Sequence, residues 1–187
     1  MDKKKEKIIG VDEAGRGPLA GPVFAGAAFI REQPPFLEEI CDSKKISEKK
    51  REELFDKIIE SQDVLISVAS VGPETIDDIN ILEATKLAMK KAVDSISERA
   101  LVVIDGNFSI PIERKQKSVI RADEKILECS IASIVAKVSR DRVMREFDKE
   151  FPEYGFAGHK GYPTKGHKKA IAEYGPCPIH RKSFKLN

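Results

Sequence analysis

The stretch KIIGVDEAGRGPLAGPVFAGAAFI, residues 7–30, holds two apolar runs parted by a glycine-rich link. Lys7–Asp12 and Gly21–Ile30 both read as buried strands, because short apolar runs bounded by Gly and Pro suit strands better than helices. The link is short, so an antiparallel hairpin is expected. Further along, Ser47–Ser61 places Leu54, Phe55, Ile58 and Ile59 on one helical face, with Ser47 as N-cap. Val64–Val71 alternates like a strand and stops at Gly72-Pro73. Ile81–Ser97 carries Ala84, Ala88, Ala92 and Ile96 at helical spacing. Leu101–Asp105 (LVVID) is a short buried strand, and Lys117–Arg121 offers one more. The longest helix is expected over Asp123–Glu150, with Leu127, Ile131, Ile134, Val135, Val138 and Phe147 along one stripe. After a glycine-rich loop at Gly155–Thr164, a short helix spans Lys165–Tyr174 and is stopped by Gly175-Pro176. Strands first, then strands alternating with helices, make an α/β domain around a mixed sheet.

A chain of 187 residues is long enough to bury a core without disulfides. It is expected to divide into a domain over 1–150 and a small helical extension over 151–187. Charged residues make up 34% and hydrophobic ones 41%, which excludes disorder. Cys41, Cys129 and Cys177 are scattered with no Cys-x-x-Cys pair, so neither a disulfide framework nor a zinc knot is expected. No apolar run approaches a membrane span, and no signal region follows the charged start. A cytoplasmic protein without membrane contact is the expectation. The net charge of +2 is uneven: residues 155–187 hold seven Lys/Arg against one acid. A basic end on a near-neutral body suits a polyanion, or is a solvated tail.

Asp12 and Asp105 close buried strands just before glycine-containing turns, where open α/β sheets bind ligands. Glu13 adjoins Asp12, and both reach one site only if the strand breaks at Glu13. Asp123 opens the long helix, where an N-cap is the plain alternative. Oxygen-only ligands of this kind suit Mg²⁺ or Mn²⁺. Gly15-Arg16-Gly17 is either a phosphate-approaching turn or merely a hairpin turn. Gly10–Gly17 imitates a nucleotide phosphate loop but lacks its Lys-Ser/Thr pair. His159, His167 and His180 lie in the basic end without zinc partners, so they donate to phosphate or do nothing. Tyr162, amid cations, either stacks on a sugar or base or packs the terminal helix. Ser133 and Lys137 suggest a nucleophile pair by spacing, yet fit the sheet side or a phosphate contact better. A non-catalytic hybrid-binding module and a Mg²⁺-dependent phosphoesterase on small substrates remain rivals to a nuclease.

Seven segments, in this order, resemble the ribonuclease HII family: Gly10–Val23, Asp42-Ser-Lys-Lys45, Asn80-Ile-Leu82, Ile104-Asp-Gly-Asn107, Ser130–Asp141, His159–Thr164 and Pro178–Phe184. The resemblance implies a ribonuclease H-like fold, a mixed five-stranded sheet flanked by helices with a small helical C-terminal extension. It implies cleavage of the RNA strand of RNA–DNA hybrids and incision 5′ of ribonucleotides embedded in DNA, as in ribonucleotide excision repair and replication. Its four acids fall on Asp12, Glu13, Asp105 and Asp123, holding two Mg²⁺ or Mn²⁺ ions with Asp12 as the bridging ligand. Its sugar-reading triplet falls on Gly15, Arg16 and Gly17, and its substrate-contacting tyrosine on Tyr162. Lys44, Lys45, Asn80, Ser133, Lys137 and Lys160 are assigned to substrate binding from the same motifs. At the fourth acid the chain reads Ala122-Asp123-Glu124 where the family often has Gly-Asp, and the spacing to Lys137 favours Asp123. Arg16 in the triplet separates the chain from the sister ribonuclease HIII. A monomer is expected, and no clamp-binding peptide is evident.

Overall fold

The computed structural model of the chain describes residues 6–40 and 46–186. β1 (Ile8–Ala14) and β2 (Val23–Ile30) pair antiparallel with Ile9 opposite Phe29 and Ala14 opposite Phe24, the expected hairpin. β3 (Val64–Val71) adds antiparallel to β2, while β4 (Leu101–Asp105) and β5 (Gln116–Val119) extend the sheet in parallel on the other side of β1. The order is β3-β2-β1-β4-β5. β1 therefore lies at the centre, and the C-terminal ends of the parallel pair β1 and β4 bring Asp12 and Asp105 to one edge of the sheet.

Two layers of helix cover the sheet. On one face α2 (Pro73–Asp94) packs Ala84, Ala88, Met89 and Ala92 against Val11, Ala25, Ala27 and Ile104. On the other, α1 (Glu48–Glu60) and α3 (Leu127–Glu150) bury Leu54, Ile58, Ile131 and Val135 around Ala28. α1 starts as expected, with Ser47 accepting from the Lys50 N–H at 3.2 Å. α3 lies unusually close to the strands because two glycines make room. A Cβ on Gly10 would stand 2.2 Å from the Glu128 carbonyl carbon, and one on Gly26 would stand 2.3 Å from the Ala132 oxygen. This close approach sets Ser133 and Lys137 beside the end of β1.

Two helix starts differ from the sequence reading. α2 begins eight residues before the expected Ile81 and is broken at Asn80 (φ 69°, ψ 166°), whose Oδ1 accepts from the N–H groups of Leu82 and Glu83. α3 begins at Leu127, not Asp123, and is 24 residues long. Asp123 lies instead in a separate 3-10 turn, Ala122–Glu124, entered through Arg121 in the left-handed region at φ 57°. It is therefore not the N-cap of α3. The Ser130 hydroxyl, in the first turn of α3, donates to the Asp123 carbonyl at 2.5 Å and ties turn to helix.

The C-terminal segment is built into the body. After α4 (Phe156–His159), α5 (Lys165–Tyr174) is capped by the Thr164 hydroxyl, which accepts from His167 N–H. Tyr154, Phe156, Ala170 and Ile179 pack on Met144 of α3 and on Ala20. Backbone hydrogen bonds stitch this segment to the β1–β2 link: Leu19 N–H to Gly161 O, Gly21 N–H to Ile179 O, and Arg181 N–H to Leu19 O. None of the helices is long and apolar enough to cross a membrane, among the described residues.

Candidate active site

Asp12, Asp105 and Asp123 converge: one carboxylate oxygen of each lies within 4.8 Å of the other two. Each arrives by a different local device. Asp12 ends the apolar part of β1, and its Oδ1 accepts from the Glu13 N–H at 2.7 Å. Asp105 ends β4 and accepts from the Ala122 N–H at 3.0 Å, which draws the 3-10 turn, and with it Asp123, to the strand ends. Burial is the main reason the Asp12 carboxyl is held well above the usual carboxylate range. The charges of Glu13 and Asp105 add to it, while a hydrogen bond from Ser133 works the other way. Three all-oxygen ligands crowded at this cost fit a hard divalent cation, whose charge would remove the repulsion.

Glu13 takes a different position. β1 does not break before it but continues to Ala14, so the expected strand end is overturned. Its carboxylate faces Arg16 Nη1 at 3.1 Å and stands outside the three-oxygen cluster, although it lines the same cleft. Its carboxyl is also pushed up by burial, with Arg16 opposing. Glu124, the neighbour that competes with Asp123 for the fourth position, pairs with Arg121 at 2.6 Å. Asp123, and not Glu124, is thus the acid that stands with Asp12 and Asp105.

A cleft of about 460 Å³ opens beside this cluster, with Asp123 in its lining. Its walls include Gly15, Arg16, Gly17, Ser133, Lys137 and Tyr162. Lys137 bonds Asp141 at 2.8 Å and stands 5.8 Å from the Tyr162 ring centre. Tyr162 is 41% exposed and lines the cleft. Arg51, on α1, also lines the cleft and was missed from sequence. Its run Lys49-Lys50-Arg51-Glu52-Glu53 reads as an ordinary solvated helix face, so no local signal distinguishes it.

The remaining expected contacts divide into undescribed residues and residues that do not line the cleft. Lys44 and Lys45 lie outside the described residues. Asn80 is exposed, caps the second part of α2 and does not line the cleft. Lys160 is buried; its ammonium donates to the Ala157 carbonyl and lies 3.6 Å from Glu48. The histidines do not reach outward for phosphate. His167 and His180 are buried and bonded to each other at 3.0 Å. The Cys177 N–H donates to His180 Nδ1, which leaves Nε2–H to donate to His167 Nε2, and His167 Nδ1–H to donate to the Tyr162 carbonyl. His159 accepts from the Gly161 N–H and its other nitrogen meets the Tyr154 carbonyl at 2.7 Å. They form an internal brace beneath Tyr162. Two buried arginines, Arg140 and Arg181, were also missed. Arg140 continues the four-residue spacing of Ala132 and Ala136 and precedes Met144, a position on a buried stripe that the sequence displays.

The chain resembles known proteins over nearly its whole length. The ribonuclease HII family profile matches residues 9–187. A ribonuclease HII from Caldicellulosiruptor saccharolyticus is 50% identical over 181 residues, covering 96% of this chain and 87% of that one. One from Acetivibrio thermocellus is also 50% identical, covering 96% of this chain and 70% of the relative. Among solved structures, the PCNA:RNase HII complex from Archaeoglobus fulgidus matches with a TM-score of 0.81 at 26% identity, covering 97% and 96% of the two chains. Ribonuclease H2 from Pyrococcus horikoshii matches with a TM-score of 0.76 at 30% identity, covering 96% and 94%. The sheet order, the helical layers and these matches make the fold ribonuclease H-like, and they set aside a non-catalytic binding module. The chain belongs to the ribonuclease HII family, and it is an endoribonuclease hydrolase acting on RNA–DNA hybrids.

Proposed function

We propose that this ribonuclease also incises duplex DNA 5′ of single embedded ribonucleotides, by a two-metal hydrolysis that leaves 5′-phosphate and 3′-hydroxyl ends. The observation that carries the reading is the meeting of Asp12, Asp105 and Asp123 beside a cleft that Asp123 lines together with the Gly15–Gly17 turn and Tyr162. Asp12, Asp105 and Asp123, with Glu13 beside them, would hold the Mg²⁺ or Mn²⁺ ions. When bound, such ions activate the attacking water and neutralise charge developing on the phosphate.

The protein's own groups do the rest. The 2′-hydroxyl is what separates a ribonucleotide from a deoxynucleotide, so the wall that meets the sugar must carry the selectivity. Gly17 leaves its backbone open to the cleft, since a Cβ there would meet only Tyr162, at 3.6 Å. Arg16, partly exposed and anchored by Glu13, has donors left for a phosphate. The Tyr162 ring offers a face on which a sugar or base can rest.

The test is an incision assay on duplex DNA carrying one ribonucleotide, in Mg²⁺ or Mn²⁺ and with EDTA. A single metal-dependent cut 5′ of the ribonucleotide is expected, with 5′-phosphate on the downstream product. Cleavage of long hybrids without any cut at the lone ribonucleotide, or cleavage that persists in EDTA, overturns the reading.

A further inference from the structure

Arg140 and Arg181 are both fully buried, and among the described residues neither forms an ion pair. Each spends its guanidinium on main-chain carbonyls. Arg181 Nη2 donates to Gly15 O at 2.6 Å, Nη1 to Arg16 O at 3.0 Å and Nε to Gly21 O at 2.9 Å. Arg140 Nε donates to Pro22 O at 3.0 Å, Nη2 to Ala20 O at 3.1 Å and Nη1 to Lys160 O at 2.9 Å. Burying two like charges without counter-ions is costly, and burial lowers the Arg181 pKa to about 9, with Arg140 adding to the shift. Neutral side chains could satisfy single carbonyls at less expense. A flat fork that reaches three at once is what only arginine supplies.

The geometry decides what this grip achieves. No peptide bond among the described residues is cis. In a trans peptide the carbonyl and the following N–H point opposite ways. Holding the carbonyls of Gly15 and Arg16 inward therefore turns the N–H groups of Arg16 and Gly17 outward, towards the cleft these residues line. Neither N–H hydrogen-bonds to another described residue. Gly15 completes the arrangement: at φ 96° its missing Cβ leaves space for Arg140, whose Nε would otherwise stand 2.0 Å away.

We propose that Arg181, backed by Arg140, is the positioning residue for sugar discrimination: it fixes the Gly15–Gly17 turn so that its outward amides, with positive charge behind them, meet the ribose 2′-hydroxyl. Arg181 itself touches no substrate. This rests on the reading of the turn as the sugar-facing wall. The segment carrying it is anchored away from the cleft, where Asp77 accepts from the N–H groups of Lys182 and Ser183 and from the Ser183 hydroxyl.

The test measures binding in EDTA, where no cleavage intrudes, to two matched duplexes: all-DNA, and DNA with one ribonucleotide. Wild type is expected to prefer the second by about tenfold, the worth of one hydrogen bond to a charged or oriented donor. Arg181→Lys keeps the charge but cannot hold three carbonyls. It should erase that preference and leave all-DNA affinity within about twofold. Its kcat/KM on the ribonucleotide substrate should fall about 100-fold, as when preorganised donors are lost. If Arg181→Lys keeps the preference, or both affinities fall together, the proposal is wrong. If wild type shows no preference, the reading of the turn fails instead. Should Arg181→Lys not fold, Asp77→Asn loosens the same segment from outside the cleft. A reduced preference at unchanged all-DNA affinity supports the proposal, and an intact preference overturns it.

Discussion

Asp12 illustrates how a single residue can oppose folding and still be indispensable. Its carboxyl is held well above the ordinary range, because burial and the charges of Glu13 and Asp105 make its ionisation cost more in the folded protein than in the unfolded chain. Removing that charge without changing shape should stabilise the metal-free protein. Asp12→Asn is expected to melt about 2–4 °C above wild type in EDTA, to lose the stabilisation that MgCl₂ gives wild type, and to lose nearly all cleavage. A variant that melts lower in EDTA would show that burying the Asp12 charge beside Glu13 and Asp105 does not cost the folded protein stability. Glu124→Gln should leave turnover near wild type while Asp123→Asn nearly abolishes it, since Glu124 is spent on Arg121. The two glycines of the turn separate in the same way. Gly17→Ala meets ordinary space and should cut activity on the ribonucleotide substrate with the melting temperature unchanged. Gly15→Ala puts a Cβ into Arg140 at a positive φ, so fold and activity should fall together.

Among the elements, the brace under Tyr162 has a consequence in pH. Desolvation, with lesser repulsion from His159 and His180, lowers the His167 pKa to about 4, and burial lowers that of His180 as well. Below about pH 6.5 the unfolded chain takes up protons that folded His167 refuses. The brace's stability is thus complete above that pH and drains away as pH falls towards 4, by up to about 3 kcal/mol for His167. Protonation would also set two N–H donors against each other across the 3.0 Å His167–His180 contact. Melting temperature measured from pH 7 to 4 should fall steeply in wild type and less steeply in His167→Gln. Equal slopes would remove His167 from the account. α3 has the other decisive role, because its docking on Gly10 and Gly26 sets the height at which Ser133 and Lys137 face the end of β1.

Across the whole molecule, the basic C-terminal stretch divides by burial rather than by sequence. Lys165 and Lys168 are exposed on α5, shortly after Tyr162. Lys160 and Arg181 spend their charges inside. Exposed cations that contact phosphate each release about one counterion on binding. Lys165→Gln with Lys168→Gln should therefore raise KM at physiological salt and flatten its salt dependence by about two units of slope. Lys160→Gln should leave the slope alone and lower the melting temperature. A flattened slope for Lys160→Gln would place its ammonium on the nucleic acid instead.

Features that depend on neighbours along the chain were legible before any fold was known. The hairpin of β1 and β2, the bounds of β3 and β4, the Ser47 cap of α1 and the extent of α5 all follow from periodicity, caps and glycine stops. So does the placing of Asp12 and Asp105 at strand ends, because a strand end before a turn is a local event. Contacts between distant segments set the rest. Asp123 leaves α3 and joins the other two acids because Ala122 donates to Asp105, 17 residues away. Lys160 turns inward, the histidines lock their tautomers, and Arg181 reaches Gly15 across 166 residues of chain. A charged side chain looks the same in sequence whether it meets solvent or three buried carbonyls, and only the folded path of distant segments supplies the carbonyls.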